Sequence, residues 1–445
     1  MLYDVMIIGA GPGGYTAANK AARNGLSVIL FEKNKVGGTC LNRGCIPMKS
    51  IIESAKIYKY KQTGKIYGIN LDEITYDYSL INARRDDVVT TLRSGIEKSL
   101  KANKVELVEG EAKIISNNKI LCNGIEYEGN NIIIASGSVV SIPPIEGINL
   151  AISSDDLLET DYKLPDSLII IGGGVIGVEI ADALSSFGVK ITIIEMADNL
   201  IPTLDSDLGK RLAMFFKKRN IDVICSAQVK KISEDGDKVV EYLDKKGELQ
   251  VIHTDEVLVA TGRKANLENL FVDDLGLEIA RGIVADKNGK TNIDNIYVIG
   301  DAMANNIQLA HVAEAQGENI IDLILNKELE NDIDTIPSGI YTEPEIAGVG
   351  VKEDDLKQNN VEYIAKKYLT GANGKCLIEN SESGFVKVLV VADVIVGGSI
   401  ICPHATELIG ELAIAVEKKM TLKDFAKVVH PHPTISEMLW NVCKE

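Results

Sequence analysis

The chain has 445 residues, about three times a ~150-residue domain, so two to four domains are expected. Its 47 Lys+Arg against 64 Asp+Glu give a formal charge of −17, which excludes no fold but argues against nucleic acid and anionic lipid as partners, because both need a basic face. Hydrophobic residues at 45% and charged residues at 25% suit a globular protein. No apolar run reaches the ~18 residues of a spanning helix and no basic leader precedes Tyr3, so a soluble, cytoplasmic chain without a membrane segment is expected.

Residues 4–32 read as a short apolar strand, a glycine turn, a helix, a break at Gly25 and a second apolar strand, which is a βαβ unit. The turn carries Gly9, Gly11 and Gly14, and Glu32 follows the middle glycine by 21 residues. Such a turn lets backbone approach a pyrophosphate and aims a helix N-terminus at its charge, while the acid accepts from ribose hydroxyls. Next come Cys40 and Cys45, set among Gly37, Gly38 and Gly44. A close pair in a reducing compartment suggests metal or redox work; zinc needs four ligands, and neither a second pair nor a nearby histidine is visible. Residues five apart on a regular helix are separated by about 7.5 Å of rise, whereas a disulfide wants Cα atoms within about 6.8 Å. If the two bond, the helix must break between them, and Gly44 supplies the slack. Two unpaired thiols at the start of a helix remain the alternative on this pair alone. Residues 50–104 look helical and polar, an apolar strand runs into Ala135-Ser136-Gly137, and Pro143-Pro144 marks a linker.

Residues 167–195 then repeat residues 4–32 at an offset of 163, giving Gly172, Gly174, Gly177 and Glu195. Two copies imply two dinucleotide-binding domains with parallel strands and right-handed crossovers. Glu195 repels a 2′-phosphate and Met196–Leu200 supplies no Arg or Lys, so NAD is favoured over NADP. A further apolar run leads into Ala260-Thr261-Gly262, and another ends at Asp301. Pro337-Ser338-Gly339 reads as a second linker, after which alternating strands such as 384–391 and helical patterns at 405–419 and 421–428 suggest an α+β tail. Two of the five histidines lie in His430-Pro431-His432, and Glu437 follows His432 by five residues. A histidine oriented by a carboxylate is a base, and thiol chemistry needs one because an ordinary thiol, pKa about 8.5, is mostly protonated at neutral pH. Cys122, Cys225, Cys376, Cys402 and Cys443 read as ordinary scattered thiols.

Taken together, GGTCLNRGCIPMKS at 37–50, IIIASGS at 132–138, GGGVIGVEIA at 172–181, ATGRKAN at 260–266, YVIGDA at 297–302, QLAHVAEAQG at 308–317, YTEPEIAGVG at 341–350, CPHATELIGE at 402–411 and HPHPTISE at 430–437 carry a resemblance over nearly the whole chain. The chain resembles the pyridine nucleotide–disulfide oxidoreductases of the two-cysteine flavoprotein class, most closely the dihydrolipoamide-oxidising branch. The resemblance implies an α/β fold with two Rossmann-like domains and a C-terminal α+β dimerisation domain. It divides the chain into 1–143 (FAD, first part), 144–263 (NAD), 264–331 (FAD and central, second part) and 332–445 (interface).

It further implies that Gly9, Gly11, Gly14, Glu32, Thr39, Ala112, Ser136, Gly137, Asp301 and the stretch Gln308, Leu309, Ala310, His311 hold FAD. Gly172, Gly174, Gly177, Glu179, Glu195, Val229 and Gly262 would hold NAD. Lys49 would sit by the flavin and pair with Glu179, Cys45 would face the flavin as the charge-transfer thiolate, and Cys40 would meet substrate. His432, oriented by Glu437, would reach Cys40 from the other subunit of a homodimer. The implied activity is oxidation of dihydrolipoamide, carried on a lipoylated protein of a 2-oxoacid dehydrogenase, acetoin or glycine cleavage complex, with NAD+ reduced to NADH. The rival readings are another NAD(P)H-dependent disulfide reductase and a weakly active docked subunit. The chain departs from the family pattern at Arg43 and Met48; Arg43, lying between the cysteines, is expected to stabilise the thiolate.

Overall fold

The strands β1 (Leu2–Ile8) and β2 (Val28–Glu32) lie parallel, Val5 against Val28 and Ile8 against Phe31, with α1 (Pro12–Arg23) crossing between them. This arrangement is taken from a computed structural model that describes residues 2–381 and 383–444. Pro12 suits the first turn of α1, where its missing N–H costs nothing. Both strands are buried on both faces, which is why they read as continuous apolar runs rather than alternating ones. The helices α2 (Gly38–Arg43), α3 (Cys45–Thr63) and α4 (Tyr78–Ala102) follow, the last capped by Asp77, whose carboxylate accepts from the amides of Ser79 and Leu80.

The first sheet runs 106–109, β2, β1, 125–134, with 296–298 parallel to the last of these. The second repeats the plan. Its order is 222–224, 190–194, β3 (Ser167–Ile171), 256–259, then the two-residue edge 152–153, all parallel, with α5 (Val175–Ser186) crossing after β3. The copies differ in what precedes the last central strand: an antiparallel hairpin, 112–116 with 119–122, in one, and a three-stranded meander over 228–254 in the other. The internal repeat in the sequence is therefore a repeat of topology.

The C-terminal part is a five-stranded antiparallel sheet, ordered 338–340, 345–350, 394–402, 385–391, 364–369, with helix 405–417 packed on it. The fold class is the expected one: two Rossmann-like α/β units and an α+β tail. Two local expectations are corrected. Ser338 and Gly339 are not linker but edge strand, Gly339 pairing with Ala347. The strand 385–391 does not alternate between core and water, since Phe385 through Val390 are all buried. Helix 405–417 covers one side of that sheet, and the segment around Asp205 covers the other, so Lys387 is sealed in.

Lys387 is 1% exposed, and its Nζ lies 3.0 Å from Asp205, 3.1 Å from Asp207 and 2.8 Å from Glu353. Burial opposes its charge, yet the carboxylates hold its pKa above the ordinary lysine value. This ion cluster ties the C-terminal sheet to the second Rossmann-like unit. Replacing Lys387 by Met leaves buried carboxylates uncompensated and is expected to cost about 3–5 kcal/mol. A fall in the thermal midpoint, partly restored when Asp205→Asn is added, is the expected outcome.

Candidate functional site

Helix α2 ends at Arg43, Gly44 departs to φ −144°, ψ −111°, and α3 starts afresh at Cys45. The helix thus breaks where a Cys40–Cys45 bond would require it. Both cysteines are thiols here, the reduced member of the expected couple. The neighbouring Cys40 thiol lowers the Cys45 pKa; burial opposes this, the Lys49 ammonium reinforces it, and the result is about 7. Cys40 is pushed well up by the neighbouring Cys45 thiolate and by burial. Position also favours the Cys45 anion, since it begins a 19-residue helix whose N-terminal dipole faces it.

Lys49 lies one turn along α3 from Cys45, on the same face. Its Nζ donates to Glu179 Oε2 on α5 at 2.7 Å, joining the two Rossmann-like units. Burial pulls the Lys49 pKa down, but the Glu179 charge and hydrogen bond outweigh it, so the ammonium is retained. The other Glu179 oxygen accepts from the Tyr341 amide at 3.0 Å. Tyr341 was not among the residues singled out from sequence, although it opens the YTEPEIAGVG motif.

One continuous cleft of about 2040 Å³ runs past this point. Its walls include Gly9, Gly11, Glu32, Thr39, Ala112, Ser136, Gly137, Asp301 and the stretch Gln308–His311 on one side. Gly172, Gly174, Glu195, Val229 and Gly262 stand on the other, with Cys40, Cys45, Lys49 and Glu179 between. The residues fit a dinucleotide at each end. A Cβ on Gly174 would meet nothing within 4 Å, and one on Gly11 only the Gly38 Cα at 3.8 Å, so backbone there faces open cleft. Gly9 and Gly172 turn the chain at φ +99° and +112°. Glu32 accepts from the amides of Ala10 and Asn34, both at 2.8 Å; Glu195 does the same with Gly173 at 2.5 Å and Ala197 at 2.6 Å. Each carboxylate has lone-pair sites remaining for ribose hydroxyls.

Two expectations need correction. Gly14 and Gly177 do not line the cleft. A Cβ on either would collide with the Gly9 or Gly172 carbonyl oxygen, so these glycines let helix pack on strand. Arg43 is not the cation acting on the thiols. Its guanidinium lies 3.6 Å from Asp155, and Lys49 supplies the charge instead. Asp301 receives its hydrogen bond from Ser138, at 2.6 Å, while Ser136 donates to the Asn266 carbonyl. Arg263 braces Ser138 at 2.8 Å, a contact unmarked in sequence beyond its place in the ATGRKAN motif.

His432 and Glu437 pair as expected, Nδ1 to Oε1 at 3.0 Å, while the other Glu437 oxygen accepts from the Thr434 amide at 2.9 Å. That amide, then the histidine, holds the Glu437 pKa below the usual carboxylate value despite some burial. Within one chain, however, this pair lies outside the cleft, and the His432 side chain is 80% exposed. His430 differs: it stacks between Phe425 and Trp440 and meets Glu411 at 2.7 Å, as a buried structural residue does.

Comparison with known proteins agrees with this geometry. Residues 3–317 match the pyridine nucleotide-disulphide oxidoreductase family, and residues 336–443 match the dimerisation domain of that family. The chain is 35% identical to the dihydrolipoyl dehydrogenase of Geobacillus stearothermophilus over 98% of its own length and 94% of the relative's. It is also 35% identical to that of Mycoplasma genitalium, over 100% and 98%. Among solved structures, the HOCl-induced flavoprotein disulfide reductase RclA from Escherichia coli superposes with a TM-score of 0.88 at 26% identity, covering 99% of both chains. With its glycine cradles, thiol pair and two matched regions, this chain belongs to the pyridine nucleotide-disulphide oxidoreductase family.

Proposed function

We propose that the chain is a dihydrolipoyl dehydrogenase, a homodimeric flavoprotein that oxidises dihydrolipoamide and reduces NAD+. The observation that carries this is the Cys40–Cys45 pair, set between two glycine cradles with the Lys49–Glu179 ion pair behind it. This reading takes 1–143 with 264–331 as the FAD-binding part, 144–263 as the NAD-binding part and 332–445 as the interface domain. Among the described residues no helix is long and apolar enough to cross a membrane, in keeping with action in the cytoplasm on a lipoyl group carried by another protein.

Bound at the first cradle, FAD would supply a two-electron acceptor able to pass hydride to NAD+ at the second. The protein's share is thiol chemistry and charge. A substrate thiol loses its proton to His432, and the thiolate attacks Cys40 Sγ of the disulfide. The Cys40–Cys45 bond breaks and Cys45 leaves as thiolate, with Lys49 balancing its charge. The second substrate thiol then attacks the substrate sulfur of the mixed disulfide, and its proton passes to the departing Cys40. Cys40 departs as a thiol, and the substrate leaves as a cyclic disulfide. Glu437 holds the imidazole by Nδ1, which leaves Nε2 to move protons. Because His432 lies outside its own chain's cleft, the base comes from the second subunit.

Steady-state oxidation of dihydrolipoamide with NAD+, set against glutathione disulfide reduction with NADPH, tests the assignment; activity only with the latter would overturn it. Cys40→Ser is expected to abolish turnover while leaving flavin bound. The Cys45 thiolate, its pKa lowered to about 7, is present above that pH and lost below it. The long-wavelength absorbance of the two-electron-reduced holoenzyme should therefore fall as pH drops through about 7. His432→Ala should reduce kcat by about 10²–10⁴-fold. Dimers mixed from Cys40→Ser and His432→Ala chains should regain part of the activity, because one of their two sites is intact; mixtures that stay inactive would place the base within the same chain.

A further inference from the structure

The hairpin loop that joins the first two strands of the C-terminal sheet, 341–344, is clamped onto the thiol-bearing helix from several sides. Along α3, Lys49, Lys56 and Lys59 form one stripe, and each meets an acid. Lys49 meets Glu179 at 2.7 Å, Lys56 meets Glu345 at 3.0 Å and Lys59 meets Glu343 at 2.6 Å. The loop's backbone is pinned as well, with the Tyr341 amide donating to Glu179 at 3.0 Å and the Glu343 amide to Asp182 at 2.8 Å. A side chain on such a loop has a fixed place. That of Tyr341 sets its ring 4.8 Å from the Lys49 ammonium, within the cleft. A lysine on a four-carbon stem costs about 2 kcal/mol of rotamer entropy to hold, and a carboxylate on one side does not by itself stop the ammonium swinging toward solvent.

We infer that Tyr341 is a positioning residue for the thiol chemistry: the face of its ring holds the Lys49 ammonium over the first turn of α3, where its charge bears on Cys45. This rests on the reading of Cys45 as the thiolate of the proposed function. The charged and titratable groups bearing on that thiol are Cys40 from α2, Lys49 from α3 itself and Glu179 from α5, while Tyr341 from the loop bears on Lys49. Of these, Lys49 alone is cationic, so its placement decides how far the anion is favoured. The attraction belongs to the ring face rather than the hydroxyl, and the backbone bond to Glu179 survives any substitution other than proline.

The experiment compares flavin-loaded wild type with Tyr341→Phe, Tyr341→Leu and a variant whose ring at 341 is a trifluorinated phenylalanine, equal in shape but depleted at its face. The readout is the pH dependence of long-wavelength absorbance in the two-electron-reduced protein, with the pH profile of kcat beside it. Tyr341→Phe should overlay wild type. The leucine and fluorinated variants should need a proton concentration about threefold or more lower to form the thiolate. Overlay of both with wild type overturns the inference, and so does a shift in Tyr341→Phe equal to that in Tyr341→Leu, which would assign the effect to the hydroxyl. If the leucine variant loses flavin, the fluorinated ring decides. A wild type without any long-wavelength absorbance counts against the proposed function. The pH dependence of Cys45 alkylation by iodoacetamide, compared across the same variants, then still decides the role of Tyr341.

Discussion

The contact between Lys49 and Glu179 joins parts of the molecule that could otherwise drift apart. It links the helix carrying the thiols to the helix of the second nucleotide cradle at 2.7 Å, and through the second Glu179 oxygen it reaches the C-terminal sheet. Around it a single apolar cluster runs through Met48, Ile51 and Ile52 of α3, Val178 and Leu184 of α5, and Ile346 and Phe385 of the tail. Burying this apolar surface on α3 supplies the free energy of docking. The ion pair supplies register, because two charges part-removed from water tolerate little displacement from one another. The site's precision follows from the buried face of α3 being packed against the second Rossmann-like unit and the C-terminal sheet at once.

The same βαβ plan is used twice with different results. In both copies the first glycine turns the chain, the second leaves the cleft open and the third lets helix lie on strand. In both, the terminal glutamate bridges two backbone amides, so it is held by the turn it completes. What distinguishes the copies lies outside the repeat. Only the first is followed by the Gly44 break, which presents a cysteine at a helix N-terminus. Redox chemistry is thus an addition to one copy of a general cradle, and the second copy serves it through Glu179.

The His432–Glu437 pair is defined by local structure alone. The carboxylate and the Thr434 amide define the geometry of His432 within the last turn of the chain. Nothing in that local structure brings it to a thiol. In the function proposed above, this exposed, carboxylate-held imidazole outside its own cleft gains chemical use when a second copy presents the complementary opening, which is the logic of an interface shared between equal subunits.

Glycine spacing, the acids that follow, the thiol pair and the His432–Glu437 pair were all legible along the chain, because each depends on residues close in sequence and on stereochemistry that only certain residue types satisfy. The same locality explains the misreadings. Gly14 and Gly177 look like phosphate glycines until strand and helix are packed together, Arg43 looks like the thiols' cation until Asp155 draws it off, and the strand 385–391 looks half-exposed until a second layer covers its sheet. Tyr341, Arg263 and the Lys387 cluster became meaningful only in three dimensions, since their partners lie far away along the chain and electrostatic contact depends on distance through space rather than along the backbone.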